Sequence, residues 1–173
     1  KIIRDKFGYP KTVSRDEVIG KYKLVSKHDR AGRLIDTQEF LNLKFPINRF
    51  SRDLLVELLE GASESVRMEG KNLLLKRVYT ERRVRPLNLY INEVAEEEAI
   101  AAVVDYGQTI KDLAQTNIFT GDLLLKNFGV TQHKRVIFYD YDEVSLVTEC
   151  NFREIPEASD FDDEMLADTW YYV

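Results

Sequence analysis

The run Gly121-Asp122-Leu123-Leu124-Leu125-Lys126-Asn127 places an aspartate and an asparagine with four residues between them. Thirteen positions after Asn127, Asp140 closes the apolar run Val136-Ile137-Phe138-Tyr139, and Tyr141-Asp142 follow. Phosphoryl transfer from a nucleoside triphosphate needs such parts. One carboxylate receives or orients the attacking hydroxyl; an amide oxygen and a second carboxylate, brought in from another strand, hold a divalent cation across the phosphates. Asn and Asp offer the oxygen donors a hard ion such as Mg²⁺ prefers, and the intervening leucines anchor the loop that carries them. The bland alternative is a hairpin whose Asp and Asn residues merely form turns. Against it, a carboxylate that ends a buried-looking strand needs a partner.

The elements that must position these residues are legible in outline. Ser14-x-x-Glu17 has capping-box spacing, so a helix is expected from Arg15 to Ala31, with Val18, Tyr22 and Val25 on one face and Gly32 as its stop. Phe40–Phe45 alternates as a strand ended by Pro46, Ser51 caps a helix over Arg52–Glu60, and Val66–Glu69 with Lys71–Tyr79 form an antiparallel pair around Gly70. Pro86 suits a helix first turn. Glu96–Asn117 is the strongest helix, with Ile100, Val103, Val104, Gly107, Ile110, Leu113 and Ala114 as its core face. Val136–Tyr141 reads as a strand, and the Pro- and acid-rich tail Ile155–Asp168 as irregular. The sum is an α+β plan in two unequal lobes: residues 1–84, strands plus a helix ending in a connector over Tyr79–Val84, and residues 85–173, mainly helical.

With 173 residues, 44% apolar and 32% charged, the chain is an ordinary core-forming protein of about one domain, or part of a larger one. No apolar run approaches the roughly 20 residues of a membrane span, so no membrane is expected. The single Cys150 fits a reducing cytoplasm. The opening Lys1-Ile2-Ile3-Arg4-Asp5 lacks an initiator Met and reads as a strand cut mid-domain, so a fragment is expected. Residues 1–92 hold 20 Lys/Arg against 12 Asp/Glu, and residues 93–173 hold 5 against 18. A basic half facing an acidic half suits an anion and its counter-ion, although two solvated surfaces would look the same. The net charge of −5 and the lack of a basic, aromatic-interleaved stripe exclude nucleic acid.

If the Gly121–Asp142 region is a phosphotransferase site, Lys1 is the strand lysine that meets the phosphates of ATP. Glu17 or Asp16 on the first helix is then its acidic partner, and Tyr79–Val84 reads adenine. Asp36-Thr37-Gln38-Glu39-Phe40, Tyr79-Thr80-Glu81-Arg82-Arg83-Val84-Arg85-Pro86-Leu87-Asn88, Asn117-Ile118-Phe119-Thr120-Gly121-Asp122, Lys126-Asn127-Phe128-Gly129-Val130-Thr131 and Phe138-Tyr139-Asp140-Tyr141-Asp142-Glu143 carry the chain further. With Asn151–Pro156 and Trp170-Tyr171, they make the whole sequence resemble bacterial isocitrate dehydrogenase kinase/phosphatase. The resemblance implies a two-lobed, protein-kinase-like fold with its first lobe truncated. It also implies a bacterial, cytoplasmic enzyme, with a homodimer as a further expectation, that phosphorylates a serine of isocitrate dehydrogenase and removes that phosphate. Carbon is thereby divided between the citric acid cycle and the glyoxylate bypass. ATP is then a substrate, ADP serves the reverse reaction, and Mg²⁺ the transfer. By the same resemblance Lys1 matches the ATP-binding lysine, Asp36 an active-site aspartate linked to dephosphorylation, Asp122 the catalytic-loop aspartate, and Asn127 and Asp140 the metal ligands. Asp142 and Lys126 stand as auxiliaries. From the residues alone, Asp36 reads equally well as a cap for the segment after Leu34-Ile35.

Thr120-Gly121 replaces the His-Arg that precedes the catalytic Asp in typical protein kinases, Asp140-Tyr141-Asp142 replaces Asp-Phe-Gly, and no glycine-rich phosphate loop is present. Gly-Asp with Asp-Tyr-Asp also resembles aminoglycoside phosphotransferases, so a small-molecule kinase, or a kinase-like binding module without activity, are the rival readings. His28 and His133 are too far apart in sequence for a metal or relay site. Cys150 is a small hydrophobe, Glu96-Glu97-Glu98 favours a helix N-terminus, and Trp170-Tyr171-Tyr172 is packing surface.

Overall fold

A computed structural model describes residues 1–7, 13–28 and 30–152. The acid-rich tail, Trp170-Tyr171-Tyr172 and the side chain of His28 lie outside the described residues. The chain is α+β. Helix α1 (Arg15–His28) is followed by β1 (Thr37–Pro46), α2 (Arg52–Gly61), β2 (Val66–Glu69) and β3 (Asn72–Glu81). Then come β4 (Arg85–Pro86), the single turn α3 (Leu87–Tyr90), the long α4 (Glu96–Gln115), β5 (Ile118–Phe119), β6 (Phe128–Val130), β7 (Val136–Phe138) and β8 (Ser145–Leu146).

The local rules explain most of these elements. Ser14 and Glu17 close the capping box at α1: Glu17 N–H donates to Ser14 Oγ at 3.3 Å and Ser14 N–H to Glu17 Oε2 at 2.6 Å. Ser51 Oγ likewise accepts from Leu54 N–H at 3.2 Å at the start of α2. Gly70, at φ +61°, supplies the left-handed residue that folds β2 back on β3.

Among the described residues three small antiparallel sheets result, in the orders β1-β3-β2, β4-β6-β7 and β5-β8. In the first, Thr37 faces Glu81 and Val66 faces Leu75, so β3 is central and β1 an exposed edge. That sheet and α2 enclose a minor core around Ala62, Val66, Leu73 and Leu75. The main core joins α1 (Val18, Ile19, Tyr22, Val25) to Leu34, Ile35 and Tyr79, and continues through Leu87, Leu113, Phe128, Phe138 and Tyr141. Burial of this continuous apolar surface at about 25 cal/mol per Å² is what holds the first helix against the later strands.

Three expectations are corrected. Helix α1 stops at His28, before Ala31, and Gly32 (φ +61°) makes the turn beyond it. The strand expected over Val136–Tyr141 ends at Phe138, which leaves Asp140-Tyr141-Asp142 in the loop that follows it. The face of α4 is rotated: Ala102, Thr109 and Leu113 are buried, whereas Ile100, Val103 and Val104 are 57%, 47% and 68% exposed. The small Ala102 and Thr109 let β7 approach closely, and Thr109 Oγ1 donates to Val136 O at 3.1 Å.

Candidate active site

Gly121 sets the backbone before Asp122. Its φ is +76°, and a Cβ there would lie 2.6 Å from the Glu143 carbonyl oxygen, so the Asp122 loop presses directly on the end of the Asp140–Asp142 loop. Asp122 is half-buried and its Oδ1 accepts from Leu124 N–H at 2.9 Å, an Asx turn that fixes the carboxylate at the loop entrance. Tyr106 on α4 closes the outer side through its hydroxyl, which donates to Leu123 O at 2.6 Å. Burial, then the Asp122 charge, push the Tyr106 phenol above its ordinary value. A 3₁₀ turn over Leu125–Asn127 follows, and Asn127 is buried.

Tyr139 fastens this loop to the strand that delivers Asp140. Its N–H donates to Asn127 O at 3.1 Å and its hydroxyl to Lys126 O. Since Phe128 faces Phe138 in the β6/β7 ladder, Asn127 and Asp140 stand one register position apart on neighbouring segments. The Tyr139 carbonyl in turn accepts from Lys1 Nζ at 2.7 Å. Lys1 exchanges both backbone hydrogen bonds with Tyr79, at 2.5 and 2.9 Å, which aligns it beside β3. Its ammonium lies 5.4 Å from the centre of the Tyr139 ring and 6.0 Å from that of Tyr141.

The acidic partner expected for Lys1 is wrong. Glu17 is consumed by the cap, whose Ser14 hydrogen bonds lower its pKa. Lys1 Nζ pairs with Glu81 Oε2 at 3.0 Å, and Glu81 is 10% exposed. Sequence reasoning missed this residue; the signal available was a single acid at the end of the strand leading into Arg82-Arg83. Burial, then the charges of Glu81, Asp142 and Asp140, hold the Tyr22 phenol far above its ordinary value. Lys21 on α1 reaches the same loop and donates to Asp142 O at 2.8 Å. Lys126 is exposed, and its described contact is through its carbonyl.

Asp36 is brought in by a different device. Residues 33–35 run parallel to β7: Phe138 N–H donates to Arg33 O at 2.8 Å, Ile35 N–H to Phe138 O at 3.0 Å, and Leu34 bridges Phe138. Neighbouring strands lie about 4.8 Å apart. Asp36 and Asp140 each follow the bridge by two residues and so emerge at the same end of two adjacent parallel segments. Asp36 is exposed and lines a cavity of about 280 Å³ with Tyr22, Thr37, Glu39, Tyr79 and Tyr141. Burial, then the hydrogen bond to Glu39, push the Tyr79 phenol up to about 12. The cap reading of Asp36 is thus replaced by a parallel-strand placement that no local pattern encodes.

As a donor set, the Asn127 amide oxygen and the Asp140 carboxylate suit Mg²⁺, which takes oxygen ligands, usually keeps several waters and leans on substrate phosphates. Among the described residues no group of three or more His, Cys, Asp and Glu forms a cation cage.

The class and the family follow from comparison with known proteins. The family model described as the isocitrate dehydrogenase kinase/phosphatase (AceK) kinase domain matches residues 1–173, and the chain belongs to that family. It is 53% identical over 173 residues to an isocitrate dehydrogenase kinase/phosphatase of Xanthomonas axonopodis pv. citri. It is equally similar to one of Anaeromyxobacter sp. strain Fw109-5, and 51% identical to one of Xanthomonas campestris pv. campestris. Each match covers all of this chain and 30% of the relative, so the chain spans under a third of the length of these relatives.

Proposed function

We propose that this chain is the ATP-binding and catalytic part of a bifunctional enzyme that phosphorylates, and dephosphorylates, a serine of isocitrate dehydrogenase in the bacterial cytoplasm. The observation that carries the reading is the set of bonds made by Tyr139, which ties the Asp122–Asn127 loop, the Asp140 segment and Lys1 to one point. Residues 1–84 serve as the nucleotide-side lobe and residues 85–173 as the catalytic lobe of a protein-kinase-like fold, with the connector after β3 between them.

In the forward direction Asp122 accepts the seryl proton as the serine oxygen bonds to the γ-phosphorus and the bond to the ADP oxygen breaks. Asn127 and Asp140 would hold Mg²⁺, which supplies positive charge to the phosphate oxygens. Lys1, held in place by Glu81, neutralises further phosphate charge, and Asp142 and Lys126 assist at the rim. Fixed charges of this kind matter most because the transition state is loose and leaves the protein little covalent work. In the reverse direction the phosphoryl group passes from the phosphoserine to ADP or to water, with Asp36 assisting the attack.

The full-length protein, labelled ATP, Mg²⁺ and purified isocitrate dehydrogenase test the reading. Label on isocitrate dehydrogenase supports it, label on a small molecule supports an aminoglycoside-kinase-like phosphotransferase, and no label anywhere supports an inactive binding module. Asp122→Ala should lower the kinase turnover by about 10² to 10⁴, the usual contribution of a proton acceptor. Normal turnover in that variant would remove Asp122 from the chemistry.

A further inference from the structure

Tyr141 occupies the centre of the Asp140-Tyr141-Asp142 loop and is fully buried. Its ring packs on Tyr22 at 5.2 Å and on Phe138 at 5.8 Å, contacts a phenylalanine would make equally well. Its hydroxyl does something a phenylalanine could not: it donates to the Ile35 carbonyl at 2.9 Å, across 106 residues of sequence. That carbonyl belongs to the peptide joining Ile35 to Asp36. The parallel bridge fixes the segment up to Ile35, and the Tyr141 hydroxyl fixes the next peptide against the loop that bears Asp140 and Asp142. Thr37 Oγ1 donates to the same oxygen at 3.3 Å, so the carbonyl is held from both sides. Both Tyr141 and Asp36 border the same cavity.

We infer that Tyr141 is a positioning residue for the dephosphorylating reaction: its hydroxyl couples Asp36 to the metal-site loop and thereby sets where the Asp36 carboxylate meets the phosphoryl group. The inference rests on the function proposed above. It explains why this loop carries a buried tyrosine whose hydroxyl bonds the peptide that leads into Asp36.

The test uses the full-length protein and the variants Tyr141→Phe, Asp36→Asn and the double variant, with kinase and phosphatase kcat and KM measured separately. Tyr141→Phe keeps the ring and its packing, so the fold is retained. Phosphatase kcat should fall about tenfold, as expected for a misplaced group near the reacting centre, with kinase kcat within about twofold and nucleotide KM unchanged. In the double variant, Tyr141→Phe should add nothing to the loss already caused by Asp36→Asn, because the two act through one interaction. Equal losses in both activities, no loss in either, or additive losses would overturn the inference. If Asp36→Asn abolishes dephosphorylation while Tyr141→Phe leaves it intact, the assignment of Asp36 stands and that of Tyr141 falls. If the wild-type protein dephosphorylates nothing, the functional reading itself fails.

Discussion

Gly121 shows how much of the site depends on single atoms. At φ +76°, with Glu143 O 2.6 Å from where a Cβ would be, alanine is opposed both by its backbone angle and by its neighbour. Gly121→Ala should therefore cost about 2 kcal/mol, from the left-handed penalty plus local displacement. It should also lower phosphoryl transfer by about 10²-fold, because the Asp122 and Asp140 loops are pushed apart. Urea denaturation and initial rates check the two effects separately. Sequence alone singled out Gly121-Asp122, Asn127 and Asp140 because they lie in one short stretch with residue types suited to phosphate and metal. It also presented the cap at Ser14 and Glu17, a local hydrogen-bond exchange. It could not present Glu81 as the partner of Lys1, or Tyr141 as the partner of Ile35. Those pairs meet only when distant strands pack, and their spacing in the chain carries no periodic signal.

Among the elements, the clamp around Arg33 connects the site to its support. The guanidinium is buried; it donates to Asp112 Oδ2 at 2.7 Å, Asp105 Oδ2 at 2.9 Å and Val136 O at 3.2 Å. Asp105 Oδ2 also accepts from Val136 N–H at 2.7 Å. The segment that delivers Asp36, the helix α4 and the strand that leads to Asp140 are thus fastened together at one guanidinium. Arg33→Met would take the guanidinium from Asp105 and Asp112 and should cost about 3 kcal/mol, at the lower end for a broken buried pair because Val136 N–H still serves Asp105, Thr109 still serves the Val136 carbonyl, and both aspartates retain some water contact. Burial raises the Asp105 pKa, but the Arg33 hydrogen bond, the Val136 N–H and the Arg33 charge outweigh it, so the net shift is downward from 3.8. A carboxylate depressed on folding contributes its full stability above its unfolded value and loses it as pH falls through the folded one. The stability difference between wild type and Asp105→Asn should accordingly be constant from pH 7 to about 5 and shrink below about 4. Thermal melts across that range measure it. The existence of α4 was plain from its period, but not its orientation. Two apolar faces were available, and small residues rather than the bulky valines met the strand.

At the scale of the whole molecule, Ile100, Val103 and Val104 leave an apolar stripe on the outside of α4. Exposed patches of this kind mark surfaces that associate. Residues 1–173 expressed alone should self-associate at tens of micromolar, and Ile100→Lys with Val104→Lys should reduce light scattering without lowering the melting temperature. The α+β class was readable from the alternation of strand and helix patterns, whereas the continuous core joining α1 to β7 was not, since it forms from segments far apart in the chain. That same parallel bridge has a consequence for how the protein comes into being. Leu34 and Phe138 are separated by about a hundred residues, and closing so long a loop is entropically costly and slow. On the ribosome, at about 5–20 residues per second, Leu34 and Ile35 emerge roughly 5 to 20 s before their partner. In the interval they present bare apolar surface to chaperones, and the core that joins α1 to β7 stays open until β7 has emerged.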